Sequence, residues 1–485
     1  MVRILEESPL YRICNPRSVA VFGASNQFTA MGTTQLIAIQ ALGYEGTIYP
    51  IHPKESSVQG LPAYRDVRDL PETPDLALII LPTKIVADVL EACGQKGIRH
   101  AIVVSGGFAE IGDEGVTLQA QVVETANRHK IRFLGPNCIG TVNPHHAFNT
   151  TFFEYDARPG FIGMASQSGS FVTQMFSYLG QRGLGFSTGI SVGNEANIDL
   201  VDALEYLAAC PHTRVITLYI EAIRRGRAFI EAARAITPHK PIVAYYVGGS
   251  EAGSKAGRSH TGALAGPDRL YDGVFRQSGI LRARSIEELF DYAWALGSCP
   301  VPESRRVIIQ THSGGPGAAA ADACSRCGLE LPDLSAGTLE RLAPYVPSTG
   351  SVGNPVDLTF TKNPMEYFTD VPRILLDDPA AAGLLVYFLM PTRTVMRALE
   401  AMGVPQDQVE DQAHAVVAEQ ARVIAQLREA RAKPLLGFSF RSPEDPFMRE
   451  LLDRGVPVFP SPERAAGAMA ALVAYRRLKD KVARN

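Results

Sequence analysis

The chain has 485 residues, 46% hydrophobic and 20% charged, with a formal net charge of −3. That length exceeds one ordinary core and predicts roughly two to four domains, while the near-balanced charge gives no general pull toward nucleic acid or an anionic membrane and no run of about 18 apolar residues predicts a span. The start carries acids rather than the apolar stretch of a secretory signal, and seven scattered cysteines fit free thiols in a reducing cytoplasm.

From the N-terminus the chain reads as strand, turn, helix, repeated. Apolar strands are predicted at 18–25, 48–51, 75–82, 100–107 and 131–135, with crossover helices at 84–96 and 115–129. Continuous apolar runs imply strands buried on both faces, as in a parallel sheet, and the alternation predicts a doubly wound α/β domain. A second α/β set follows from about 155, with strands at 161–165, 186–192, 215–220 and 241–247. A third begins after 299–303, which reads as a linker, with strands at 306–311, 383–389 and 434–440 and helical stretches at 407–432 and 461–479. The predicted domains are 1–150, 151–300 and 301–485. Cys324 and Cys327 form a Cys-x-x-Cys pair in an Ala-rich helical stretch without a second pair for zinc, which favours helix packing over a metal or redox role.

Five places carry candidate chemistry. The turn Gly23-Ala24-Ser25-Asn26 ends a strand before a helix starting near Thr33. It is either a phosphate-holding turn or a plain βα turn, because the full Gly-x-Gly-x-x-Gly pattern is absent. Lys54, just past the second strand, is a point charge for phosphate or a solvated lysine. Ser166-Gln167-Ser168-Gly169-Ser170 lies between a strand and a helix, so it is either an anion site or ordinary serine capping. Glu221 ends an apolar strand, where doubly wound folds place their sites; it is either an imidazole partner or a loop carboxylate. His260 sits among small residues in 257–266, either a mobile nucleophile or an incidental loop histidine. Two less informative turns lie at 312–317 and 354–358. Phe152, Phe153 and Tyr155 either line an acyl pocket or pack a core.

In this order the segments resemble the α subunits of the nucleoside-diphosphate-forming acyl-CoA synthetases, of which the ADP-forming acetate–CoA ligases are the best known and succinyl-CoA synthetase a more distant relative. The likeness covers nearly the whole chain: 15–26, 105–110, 135–140, 166–169, 259–266, 314–317 and 354–357 match family motifs. It implies an N-terminal Rossmann-like CoA-binding domain followed by two flavodoxin-like, succinyl-CoA synthetase-like α/β domains. It also implies that acyl-CoA, ADP and phosphate are interconverted with carboxylic acid, CoA and ATP through an acyl phosphate and a phosphohistidine at His260. Glu221 would orient the imidazole, Ser166, Gln167, Ser168 and Gly169 would hold phosphate, and Gly23, Ala24, Ser25, Lys54, Pro82 and Asn137 would bind CoA. ADP or ATP with Mg is expected on a separate ATP-grasp β subunit, in a cytoplasmic hetero-oligomer.

The sequence departs from the family at two points. Tyr246-Val247-Gly248-Gly249-Ser250 stands where the family has Lys-x-Gly-Arg-Ser, leaving Lys255 and Arg258 to compensate, and Ala222 stands where a glycine usually follows the glutamate. The altered 246–250 stretch leaves open a decayed CoA- or acyl-CoA-binding regulatory protein; a nicotinamide oxidoreductase is disfavoured by the incomplete glycine pattern.

Overall fold

A computed structural model describes residues 4–156, 158–253, 266–359 and 365–484. The chain divides into two compact units, 1–284 with 482–485 and 285–481.

Among the described residues the first unit holds two large sheets and a small antiparallel pair, Ser57–Val58 with Leu61–Pro62. In the first, β1 (Ser18–Phe22), β2 (Thr47–Ile51), β3 (Leu76–Ile79), β4 (His100–Val103) and β5 (Arg132–Leu134) are all parallel in the order β2-β1-β3-β4-β5. The central strands are buried throughout because helices, among them Met31–Ala41, Val86–Lys96 and Asp113–Arg128, carry the chain back between them. Each predicted strand exists; four are trimmed relative to their apolar runs, and the one predicted at 48–51 begins a residue earlier, at Thr47. The trimmed carboxyl ends form turns, which is where ligands bind on such sheets.

The second sheet comprises β6 (Thr141–Asn143), β7 (Phe148–Asn149), β8 (Ile162–Ser166), β9 (Phe186–Ser191), β10 (Val215–Ile220), β11 (Ile242–Tyr246) and β12 (Leu281–Ala283). Its order is β12-β11-β10-β8-β9-β6-β7. Strands β8 to β12 are parallel, whereas β6 and β7 form a hairpin added antiparallel to β9. The hairpin lies within residues 1–150, yet its hydrogen bonds go to the sheet built by the following residues. Its strands are short and carry threonine and asparagine, so no apolar run announces them.

The second unit contains β13 (Val307–Thr311), β14 (Val356–Asp357), β15 (Gly383–Tyr387), β16 (Leu435–Phe438) and β17 (Val458–Phe459), all parallel in the order β14-β13-β15-β16-β17. Helix Ile286–Ser298 packs within this unit. Its buried Asp291 takes both guanidinium arms of Arg464 at 2.6 and 2.7 Å. The turn at 312–317 opens helix Gly314–Arg326, which buries Cys324 while Cys327 stays exposed; all seven cysteines are unpaired. Among the described residues there is no cluster of His, Cys, Asp and Glu able to hold a metal, and no helix long and apolar enough to cross a membrane.

Candidate active site

The end of β1 turns sharply at Gly23, whose φ of +94° suits glycine. A Cβ there would come within 1.9 Å of the Ile80 carbonyl oxygen, and one on Gly32 within 2.4 Å of the Gly23 oxygen. These two glycines let helix Met31–Ala41 begin directly against the turn. Gly32 thus supplies the close helix–strand packing that the missing glycine pattern normally provides, and the nine-residue spacing hid it. Ala24 is fully buried. Ser25 is already engaged: its N–H donates to Thr33 Oγ1 (2.9 Å), and its carbonyl accepts from Thr33 Oγ1 and Gln59 Nε2, both 3.0 Å. Its amide therefore locks the turn instead of pointing at a ligand.

Beyond this turn a cleft of about 530 Å³ is lined by Met31, Leu81, Pro82, Ser105, Asn137 and Phe152 and by Gln167, Gly169 and Ser170. It joins the carboxyl ends of the first sheet to the serine turn of the second. Pro82, Asn137 and the pair Gln167 and Gly169, singled out at three separate places in the sequence, meet here. Lys54 is exposed and is not among the lining residues; its N–H donates to His52 Nδ1 at 3.3 Å. Tyr155 is a core residue that accepts from the Phe186 N–H at 2.8 Å and donates to the Arg158 carbonyl.

At the serine turn, Ser166 Oγ donates to the Ser168 carbonyl (2.6 Å) and accepts from the Ser168 N–H (3.1 Å). Ser168 caps helix Gly169–Gly180 by position but makes no side-chain cap bond, and its hydroxyl lies 3.4 Å from that of Ser170. Hydroxyls and first-turn N–H groups at the mouth of a cleft suit an anion. Gln167 behaves differently. Its amide donates to Glu195 Oε2 (2.6 Å) and the Ala222 carbonyl (2.8 Å), and its carbonyl accepts the N–H groups of Glu221 (2.6 Å) and Ala222 (3.0 Å). Every donor and lone pair of that amide is taken. Gln167 is thus a clasp between the ends of β8 and β10, and its side chain has no hydrogen-bonding capacity left for a ligand.

Glu221 is buried at the carboxyl end of β10, its backbone fixed by that clasp. His260, with Lys255, Arg258 and the whole stretch 254–265, lies outside the described residues. Its flanks are placed: Gly253 donates to Ser250 Oγ at 3.0 Å, and the Gly266 carbonyl accepts from the Tyr246 hydroxyl at 2.7 Å. Tyr246 ends β11 and its ring stacks on Tyr271 at 3.5 Å. The residue that departs from the family pattern is therefore a packing residue that anchors one flank of the histidine segment. Gly249 has no room for a side chain, since a Cβ would meet Asp268 at 2.1 Å.

Two site residues escaped the sequence reading. Asn194 and Glu195 follow β9, where the rule that selected Glu221 applies equally. Asn194 accepts from Asn137 Nδ2 (3.3 Å) and donates to Glu110 Oε2 (2.5 Å), while Glu110 Oε1 takes the Gly107 N–H at 2.6 Å. Glu195, at φ +53°, accepts from Gln167 and from the Leu200 N–H (2.8 Å), with Arg224 Nε at 3.4 Å. Burial pushes its carboxyl up to about 7, against the pull of those hydrogen bonds and Arg224. Two polar strings thus lie side by side after the sheet strands, Glu110–Asn194–Asn137 and Glu195–Gln167–Glu221, brought together by the adjacency of Asn194 and Glu195 in the chain.

Comparison with known proteins places each stretch. Residues 17–144 match the CoA binding domain, 159–296 the succinyl-CoA ligase like flavodoxin domain and 307–426 the ligase-CoA domain. The chain is 37% identical over 462 residues to the acetate–CoA ligase [ADP-forming] II subunit alpha of Pyrococcus furiosus, covering 95% of this chain and 96% of that one. It is 32% identical over 468 residues to the 4-hydroxybutyrate–CoA ligase [ADP-forming] of Nitrosopumilus maritimus, covering 96% of this chain and 64% of that protein. Its fold is similar to the dinucleotide forming acetyl-coenzyme A synthetase 1 of Ca. Korarchaeum cryptofilum in complex with phosphate and ADP, with a TM-score of 0.86, 32% identity and 98% of each chain covered.

Proposed function

Because the chain belongs to the α subunits of the ADP-forming acetate–CoA ligases, we propose that it performs the CoA and phosphoryl-transfer chemistry of an NDP-forming acid–CoA ligase, with His260 as covalent carrier. CoA lies along the first-sheet turn at Gly23 and Ala24 and through the cleft lined by Pro82 and Asn137. Inorganic phosphate attacks the thioester carbonyl; the carbon–sulfur bond breaks, CoA leaves as thiolate and an acyl phosphate remains. A nitrogen of His260 then takes the phosphoryl group, and the phosphorus–oxygen bond to the acyl carboxylate breaks, releasing the acid. Phosphohistidine passes the group to ADP, giving ATP. The phosphohistidine thus divides one hard transfer, from acyl phosphate to ADP, into two easier ones.

The protein's part is electrostatic. The N–H groups at Gly169 and Ser170 and the hydroxyls of Ser168 and Ser170 face the transferring phosphoryl group. Glu221 accepts a hydrogen bond from one imidazole nitrogen and so raises the nucleophilicity of the other. The observation that supports this reading most is positional: Ser166 at the end of β8, Glu221 at the end of β10 and Tyr246 at the end of β11, which holds one flank of the histidine segment, share the carboxyl edge of three neighbouring parallel strands. Nucleotide and Mg are assigned to a separate ATP-grasp β subunit.

The test mixes the chain with that subunit, radiolabelled ATP and Mg. An acid-labile, alkali-stable phosphoryl label on this chain is expected, absent in His260→Ala and formed about 100-fold more slowly in Glu221→Gln. A label that survives in His260→Ala overturns the assignment.

A further inference from the structure

Glu195 has no place in the steps above, yet its surroundings are specific. Its side chain is only 2% exposed, and its backbone stands at φ +53°, a left-handed conformation that costs a residue with a Cβ. Its close partners among the described residues are all donors. Gln167 Nε2 at 2.6 Å and Arg224 Nε at 3.4 Å meet Oε2, and the Leu200 N–H at 2.8 Å meets Oε1. Both oxygens therefore accept. A carboxylate can do this and a carboxamide cannot, since one of its two ends is itself a donor. Leu200 is the first residue of helix Leu200–Ala209, so its N–H has no partner within the helix and Glu195 supplies one.

Gln167, on the other oxygen, can sit only one way round. As it stands, its carbonyl takes the N–H groups of Glu221 and Ala222, and its NH2 serves Glu195 and the Ala222 carbonyl. Turned over, donors would face donors and acceptors would face acceptors. Glu195 is the one member that brings an ionisable side chain to this clasp.

We propose that Glu195 is a positioning residue for phosphoryl transfer: as a carboxylate it ties Gln167 to the start of helix Leu200–Ala209, and so fixes the strand ends that carry Glu221 and the Ser166–Ser170 turn. The role rests on the ligase reading. Glu195 touches no reacting atom and acts through Gln167, which belongs to the serine turn and holds the Glu221 backbone. A proton taken up from solvent would turn one oxygen into a donor facing donors, and the clasp would lose a bond. The charged and titratable groups that face Glu195 are Arg224, Asp199 and Tyr271. Arg224 favours the carboxylate; Asp199, itself paired with Arg225, joins burial in favouring the proton.

The test compares formation of the His260 label, with the partner subunit and ATP, in wild type and variants between about pH 6 and pH 8.5. Glu195→Gln turns a donor toward either Gln167 or the Leu200 N–H. It is expected to form the label at least about tenfold more slowly at the alkaline end, with CoA affinity within about twofold of wild type. It should also lack the limb near pH 7 through which the wild-type rate rises. Gln167→Glu combined with Glu195→Gln reverses the pair: the amide at 195 donates to the carboxylate at 167 and still accepts from Leu200. This double variant is expected to recover to within about threefold of wild type, and Gln167→Glu alone is not. In the chain by itself, labelled with 15N-glutamine, the Gln167 side-chain NH2 signal is identified by its loss in Gln167→Glu. It should shift with a midpoint near pH 7 in wild type and stay in place in Glu195→Gln. Equal label rates in wild type and Glu195→Gln across the range, or a Gln167 signal that does not move with pH, overturns the proposal. A loss that the double variant fails to recover, with a lowered melting temperature, marks a merely structural role and overturns it as well. Absence of label from every protein sinks the phosphohistidine reading, and a moving Gln167 signal then still supports the clasp.

Discussion

At the scale of single residues, the buried carboxylate of Glu195 is the most consequential group that carries no assigned chemistry. It titrates near 7 in the folded chain, against an ordinary 4.5. Between those values the folded state binds more protons than the unfolded one, so this group's contribution to stability falls as pH rises from about 4.5 and is fully lost above about 7. We expect the wild type to lose up to roughly 3 kcal/mol more than Glu195→Gln between pH 5 and pH 8 in urea unfolding. Parallel pH profiles for the two proteins would mean that Glu195 holds no proton in this range. Gln167 shows why the environment must be known before a polar residue is given a role. It stands in a serine turn, where an amide suits phosphate, yet all its hydrogen-bonding capacity serves Glu221, Ala222 and Glu195.

At the scale of elements, the same device recurs on two strands. Thr311 Oγ1 donates to the Ser313 carbonyl at 2.8 Å and accepts its N–H at 3.0 Å, as Ser166 does with Ser168. In each case a strand-end hydroxyl shapes the turn, and a helix starts at the following glycine, Gly169 or Gly314. The β6–β7 hairpin depends on a comparable side chain. Thr150 Oγ1 accepts the Thr141 N–H at 2.8 Å and donates to its carbonyl, with both residues fully buried. Thr150→Val keeps the shape and strands that N–H, so it should cost about 1–3 kcal/mol, read as a shift of the urea midpoint at unchanged slope. A midpoint within a few tenths molar of wild type would mean that the hairpin adds nothing to the cooperative core.

At the scale of the whole molecule, the division into 1–284 and 285–481 implies two cooperative cores. Scanning calorimetry of the chain alone should give a calorimetric enthalpy exceeding the van't Hoff value. Equality of the two would mean that the units melt as one body. The candidate phosphoryl site and the CoA cleft lie in the first unit. Ligand-specific stabilisation should therefore separate the two units: CoA should raise one transition and leave the other in place.

The sequence by itself determined the parallel α/β architecture, because strands buried on both faces must be continuously apolar and helices must return the chain between them. It also marked the strand ends at Gly23, Ser166 and Glu221, since small and polar residues after an apolar run leave few other meanings, and motif order carried the family. Only the tertiary structure decided which of these ends meet. The cleft that unites Pro82 and Asn137 with Gly169 depends on how two sheets are joined, and no local pattern records that. The hairpin at 141–149, the packing role of Gly32 and the clasp of Gln167 were equally illegible: each depends on a partner distant in sequence, whether Gly189, Gly23 or Glu195. A hydrogen bond or a close approach is a property of two positions, and the chain lists them one at a time.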